Sequence, residues 1–194
     1  MKKLLFGFGS TQVLLALLIS GQTFKTFEFE QVFGSPGKPR TQWRSGASGS
    51  SALHVFDGDR VEISLCLLEP TTLSIAGLQY SNDGNGDQVD FWIDEKYMGT
   101  IYTKSASGSG MLWNVFSQVG RIGDAVTLSP GKHTLVVIVV KSDCHGLEID
   151  NLEFTSDINV PDELFTCESK FFPSLKPTAC AEKMDSPQQR RLMG

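Results

Sequence analysis

The stretch Gly146-Leu147-Glu148-Ile149-Asp150-Asn151-Leu152-Glu153-Phe154 decides how this chain folds. Acidic and apolar residues alternate along it, the period of a strand with one buried face. The same alternation runs through Phe27-Glu28-Phe29-Glu30, near the other end of the patterned region. A carboxylate on the inner face of a strand is costly unless something neutralises it. An oxygen-seeking cation held between the two terminal strands would neutralise several at once and clasp the domain shut.

Between these ends, strand patterns recur at short spacing. They cover residues 25–31, 51–56, 60–68, 72–80, 88–94, 97–103, 112–119, 125–128, 132–141 and 147–154. Asp57-Gly58, Glu69-Pro70, residues 82–87 and Pro130-Gly131 separate them as turns. Val61, Ile63, Leu65 and Leu67 alternate with Glu62, Ser64 and Cys66, so one face of that strand is wet. Trp92 lies inside an apolar strand and is expected in the core. No segment has a helical period, and there is no internal repeat. The pattern predicts an all-β fold, an antiparallel sandwich over residues 22–156. Beyond it Pro161, Pro173, Pro177 and Pro187 recur among scattered charges. Residues 157–194 are therefore expected to be a short, irregular, extended C-terminal tail containing a disulfide.

The length suits one domain plus tails. The formal charge is −5, with no basic stripe and interleaved aromatics, which excludes nucleic acid as the partner. Residues 1–21 read as a signal peptide: Lys2-Lys3, an apolar stretch over residues 4–19, then small Ser20 and Gly21. That stretch is short for a membrane anchor and is interrupted by Ser10, Thr11 and Gln12. The expectation is a secreted, extracellular protein without a membrane span, its charge moving from −5 to −7 as two lysines leave. The four cysteines, Cys66, Cys144, Cys167 and Cys180, then form two disulfides with three possible pairings. Cys167 and Cys180 share the tail and would close a small loop, leaving Cys66 to pair with Cys144.

Enzyme signatures are weak. Asp83, Asn85 and Asp87 alternate like the start of an EF-hand loop, but Gln88 occupies the position that needs glycine. A polar connecting loop is the better reading. The three histidines, His54, His133 and His145, accompany no Gly-x-Ser-x-Gly elbow. Trp43 and Trp113 adjoin Gly/Ser-rich loops, where an indole face left open can stack on a sugar ring.

Several pieces, in order, resemble a carbohydrate-binding module of the family 6 and family 35 type, over about residues 24–154. They are Phe27-Glu28-Phe29-Glu30, Asp57-Gly58-Asp59-Arg60-Val61-Glu62-Ile63, the segment from Tyr80 to Asp94, Gly110-Met111-Leu112-Trp113, the run from Val126 through Pro130-Gly131-Lys132-His133-Thr134-Leu135, and Glu148-Ile149-Asp150. The resemblance implies a two-sheet jelly-roll, no catalysis and a structural calcium held by Glu28, Glu30 and Asp150. It places a sugar cleft at the loop end, using Trp113, Trp43 and Glu148, with a glycan or polysaccharide as partner. The chain departs from the pattern at Glu148, where the family has asparagine, because a carboxylate can only accept hydrogen bonds. It also lacks the first Trp of the Gly-Trp-x-x-Trp segment and has Asp94-Glu95 in place of Asn-Gly. A protein–protein interaction module with the sugar cleft lost is the alternative from another class.

Overall fold

The computed structural model describes residues 22–32, 40–105 and 112–174. Residues 1–21, expected to be a signal peptide, and Cys180 lie outside them. Two antiparallel sheets pack face to face, as the strand pattern predicts. In chain order the strands are β1 (Thr23–Glu28), β2 (Thr41–Trp43), β3 (Ser51–Val55), β4 (Arg60–Leu67), β5 (Thr71–Ser81), β6 (Gln88–Ile93), β7 (Lys96–Tyr102), β8 (Ser117–Val119), β9 (Ile122–Leu128), β10 (Gly131–Lys141), β11 (Leu147–Ser156) and β12 (Glu168–Phe172). One helical turn, α1 (Asp162–Phe165), precedes β12. The larger sheet runs β2-β3-β11-β5-β8, with β1 also on β11 and β9 also on β5; the other runs β12-β4-β10-β6-β7.

Alternation sets which side chains meet between the sheets. Val61, Ile63, Leu65 and Leu67 of β4 face Leu73, Ile75, Leu78 and Tyr80 of β5 across a core that also holds Phe91, Phe154 and Phe171. Among the described residues no helix is long and apolar enough to cross a membrane.

Three expectations change. Residues 157–174 are not a loose tail. Phe165 and Phe171 are buried in the core, and β12 pairs with β4 from Glu168↔Ser64 to Phe172↔Arg60. The disulfide is Cys66–Cys167, not Cys66–Cys144 or Cys167–Cys180. The physical reason is the added strand: the Cys167 amide donates to the Ser64 carbonyl at 3.0 Å, and the two Cα atoms stand 5.9 Å apart. Cys144 is itself disulfide-bonded. Trp92, finally, is only half-buried: Phe91 and Ile93 take the inward positions, and its indole packs on Tyr97 with 5.0 Å between ring centres.

Candidate functional site

β11 is the spine of the site. Leu147 and Ile149 enter the core, so Glu148 and Asp150 project from the other face of the sheet, yet both are fully buried. The ladder to β5 shifts between Ile149 and Leu152, a bulge that restores Leu152 and Phe154 to the core. The carboxylates expected on the inner face therefore lie on the outer one. They are buried there by the segment 44–50, which folds across the sheet.

Two glycines let that segment approach. A Cβ on Gly46 would stand 2.2 Å from the Asn114 carbonyl oxygen, and one on Gly49 would stand 2.7 Å from Glu30 Oε1. Gly49 and Ser50 both have left-handed φ, +60° and +63°. For serine this conformation is strained and has to be held by its surroundings. Asn114 Oδ1 accepts from the Ser45 amide at 3.0 Å, bracing the segment against the turn that carries Trp113.

At one end of the segment Arg44 clamps Glu148. Its Nε and Nη2 donate to the two carboxylate oxygens at 2.6 and 2.5 Å, a bidentate pair. Burial pushes the Glu148 carboxyl upward, the Arg44 bonds and charge pull it down, Asp83 pushes it up, and the balance lies above the usual carboxylate value. The guanidinium also sits 5.8 Å from the Trp113 ring centre. The His54 ring meets Trp113 at 5.3 Å, and His54 is Glu148's partner in the β3–β11 register. Trp113 is thus half-buried with its ring engaged, whereas Trp43, on β2, is 69% exposed. Sequence reasoning brought Trp43, Trp113 and Glu148 to one end of the sandwich and assigned no role to Arg44. The available signal was an arginine inside a Gly/Ser-rich loop of a chain with a buried carboxylate to match.

At the other end of the segment Ser48 meets the acidic pair. Its amide donates to Asp150 Oδ2 at 2.9 Å and its hydroxyl to Glu28 Oε1 at 3.0 Å. Glu28, Glu30 and Asp150 each offer a carboxylate oxygen, all within 4.8 Å of one another. Each also keeps one buried oxygen without a hydrogen-bond partner: Glu28 Oε2, Glu30 Oε2 and Asp150 Oδ1. Native proteins rarely leave such atoms unsatisfied. Burial, then the neighbouring carboxylates, push Glu30 and Asp150 each up to about 6, against the Ser48 amide in the case of Asp150. An all-oxygen donor set of this charge fits a hard divalent cation, and calcium in particular tolerates its irregular make-up. Glu30 also lines a surface groove of about 600 Å³ beside Phe27 and Cys167.

The Asp83–Asp87 loop joins β5 to β6 as a polar connection. Asn82 Nδ2 stands within hydrogen-bond distance of the Asn85 carbonyl, Asp87 Oδ2 and Thr103 Oγ1, and Asp87 Oδ1 accepts from the Asp143 amide of the neighbouring loop.

No protein-family model matches the sequence, and no curated protein matches it. Solved structures do match. One is the crystal structure of the Podospora anserina GH26-CBM35 β-(1,4)-mannanase, at 15% identity and TM-score 0.51 over 72% of this chain. The chain spans 29% of that protein. Another is the C-terminal CBM6 of LamC, a laminarinase from Zobellia galactanivorans, at 12% identity and TM-score 0.51, covering 69% of this chain and 99% of that one. The fold is that of a carbohydrate-binding module. At these identities the likeness is one of fold, and the site has to be argued from its own residues.

Proposed function

We propose that this is a secreted, non-catalytic carbohydrate-binding protein, its sandwich clasped by calcium at Glu28, Glu30 and Asp150. The observation that carries the reading is the exposed Trp43 indole, on the residue preceding Arg44 of the Arg44–Glu148 pair, in a sandwich with the fold of sugar-binding modules. A flat, rigid indole stacks on a sugar ring at small entropic cost. The part-exposed Arg44 guanidinium is the polar group nearest it for hydroxyls; buried Glu148 fixes the arginine in place and Trp113 buttresses it. Calcium, when bound, supplies positive charge to three buried carboxylates; the residues around it hold the terminal strands together. Stacking on one open ring, with little enclosed area, supports affinities on the order of millimolar to micromolar.

The test is a glycan array probed with the full chain and with Trp43→Ala. Binding that Trp43→Ala removes, with an unchanged melt, supports the reading. An array without hits overturns it. One observation favours the alternative of a protein-binding module: both oxygens of Glu148 are already taken by Arg44, which leaves a sugar fewer acceptors. That alternative predicts an empty array.

A further inference from the structure

We infer that the cation site governs the ligand site, through the segment 44–50. The inference rests on the calcium and glycan readings above and adds a coupling between them. The two sites share β11, at Glu148 and Asp150, and are bridged by one short stretch of chain. Arg44 of that stretch closes on Glu148, and Ser48 closes on Asp150 and Glu28. Gly49 lies against Glu30 in a left-handed conformation, and Ser50 follows in a strained one.

With a cation in place, the three carboxylates can turn their unpartnered oxygens to it while Glu28 and Asp150 keep their other oxygens on Ser48. Without one, three buried anions repel each other across less than 5 Å, since their oxygens lie within 4.8 Å. The cheapest relief is to admit water, and the segment 44–50 is what covers them. Nothing else in this stretch forms a core: none of residues 44–50 is buried. Lifting Ser48 and Gly49 slackens the hold on Arg44, four residues away, and on Trp43 next to it. Calcium therefore fixes Trp43 and Arg44 in the arrangement the ligand site needs, although neither touches the ion. By linkage the effect is reciprocal: whatever fixes Arg44 on Glu148 tightens calcium.

Hydrogen–deuterium exchange of the full chain, in calcium and in chelator, tests this, with calcium affinity measured by calorimetry. Amides of residues 45–50 should exchange at least about tenfold faster in chelator than in calcium, and in chelator far faster than those of β10, in the centre of its sheet, which open only with the whole fold. Arg44→Ala should weaken calcium binding about fivefold or more, the low end of ordinary coupling. Electrostatics alone predicts the opposite, since that variant removes a positive charge near the carboxylates. Calcium binding with equal exchange of residues 45–50 in both conditions overturns the coupling and leaves the cation reading standing. So does exchange of residues 45–50 in chelator as slow as that of β10, because the segment then opens only with the whole fold. Absence of calcium binding overturns both.

Discussion

Arg44 and Glu148 show how one residue pair settles the character of a site. Glu148 has no exposed side-chain surface and Arg44 has 23%. Removing the arginine alone leaves a carboxylate buried and unpaired, which costs far more than the pair's own net worth. Arg44→Ala should therefore destabilise the protein by about 3 kcal/mol in denaturant unfolding, and adding Glu148→Ala should recover much of the loss. Additive losses would mean the two side chains act independently. His133 carries a second residue-scale prediction. Its Nδ1 lies 2.8 Å from Asp94 Oδ2 and its Nε2 lies 2.8 Å from the Ser129 carbonyl, so only the imidazolium can donate to both. Partial burial works against the charge. The Asp94 bond, the Ser129 carbonyl and the Asp94 charge outweigh it and raise the His133 pKa above 6.5. A raised histidine stabilises below its unfolded pKa, and the contribution fades as pH rises through the folded one. An NMR titration should place His133 above the ordinary histidine value and return it there in Asp94→Asn. A midpoint unmoved by that substitution would show the pair is not formed in solution.

At the scale of elements, the informative one is β12. Its sequence, Glu168-Ser169-Lys170-Phe171-Phe172, is short and follows Pro161, which is why alternation did not flag it as a strand. The long strands were legible because their inward residues recur over many positions, as in β4 and β10. β12 buries a single residue, Phe171, and owes its place to the ladder with β4 and the covalent link at Cys167. Pairing of cysteines depends on which strands are neighbours, and neighbourhood between strands far apart in the chain is not encoded in spacing. The bulge after Ile149 was equally invisible, and it is what lets Glu148 and Asp150 lie outward under the segment 44–50 while Leu152 and Phe154 return to the core. A non-reducing peptide map should contain Cys66–Cys167, and Cys144 with Cys180, the one cysteine left. A Cys66–Cys144 peptide would refute the strand order at this edge. Replacing both Cys66 and Cys167 by serine should cost about 4 kcal/mol or less, since the crosslink closes a loop of 101 residues.

At the scale of the molecule, the sandwich has to hold its first and last long strands together, because among the described residues β1 pairs only with β11. The register Phe27↔Leu152 and Glu28↔Asn151 brings Glu28 beside Asp150, and the turn after β1 brings Glu30 to the same place. Charge works against this closure. Three carboxylates converge where burial already disfavours ionisation, and three of their oxygens find no donor among the described residues. A cation that binds the folded state and not the unfolded chain reverses the balance by mass action. At one hundred times its dissociation constant the gain is about 2.7 kcal/mol. For a protein of this size that raises the melting temperature by roughly 5–10 °C. The expected result is a melt that shifts upward by that much from chelator to excess calcium in the native chain. Asp150→Asn should abolish the shift, since it removes the charge of the one fully buried ligand and halves that of its pair with Glu28. Magnesium should reproduce little of it, because it demands a regular octahedron and sheds water reluctantly. Superimposed melts in calcium and chelator would remove the ion from the account, and the three unpaired oxygens would then need bound water instead.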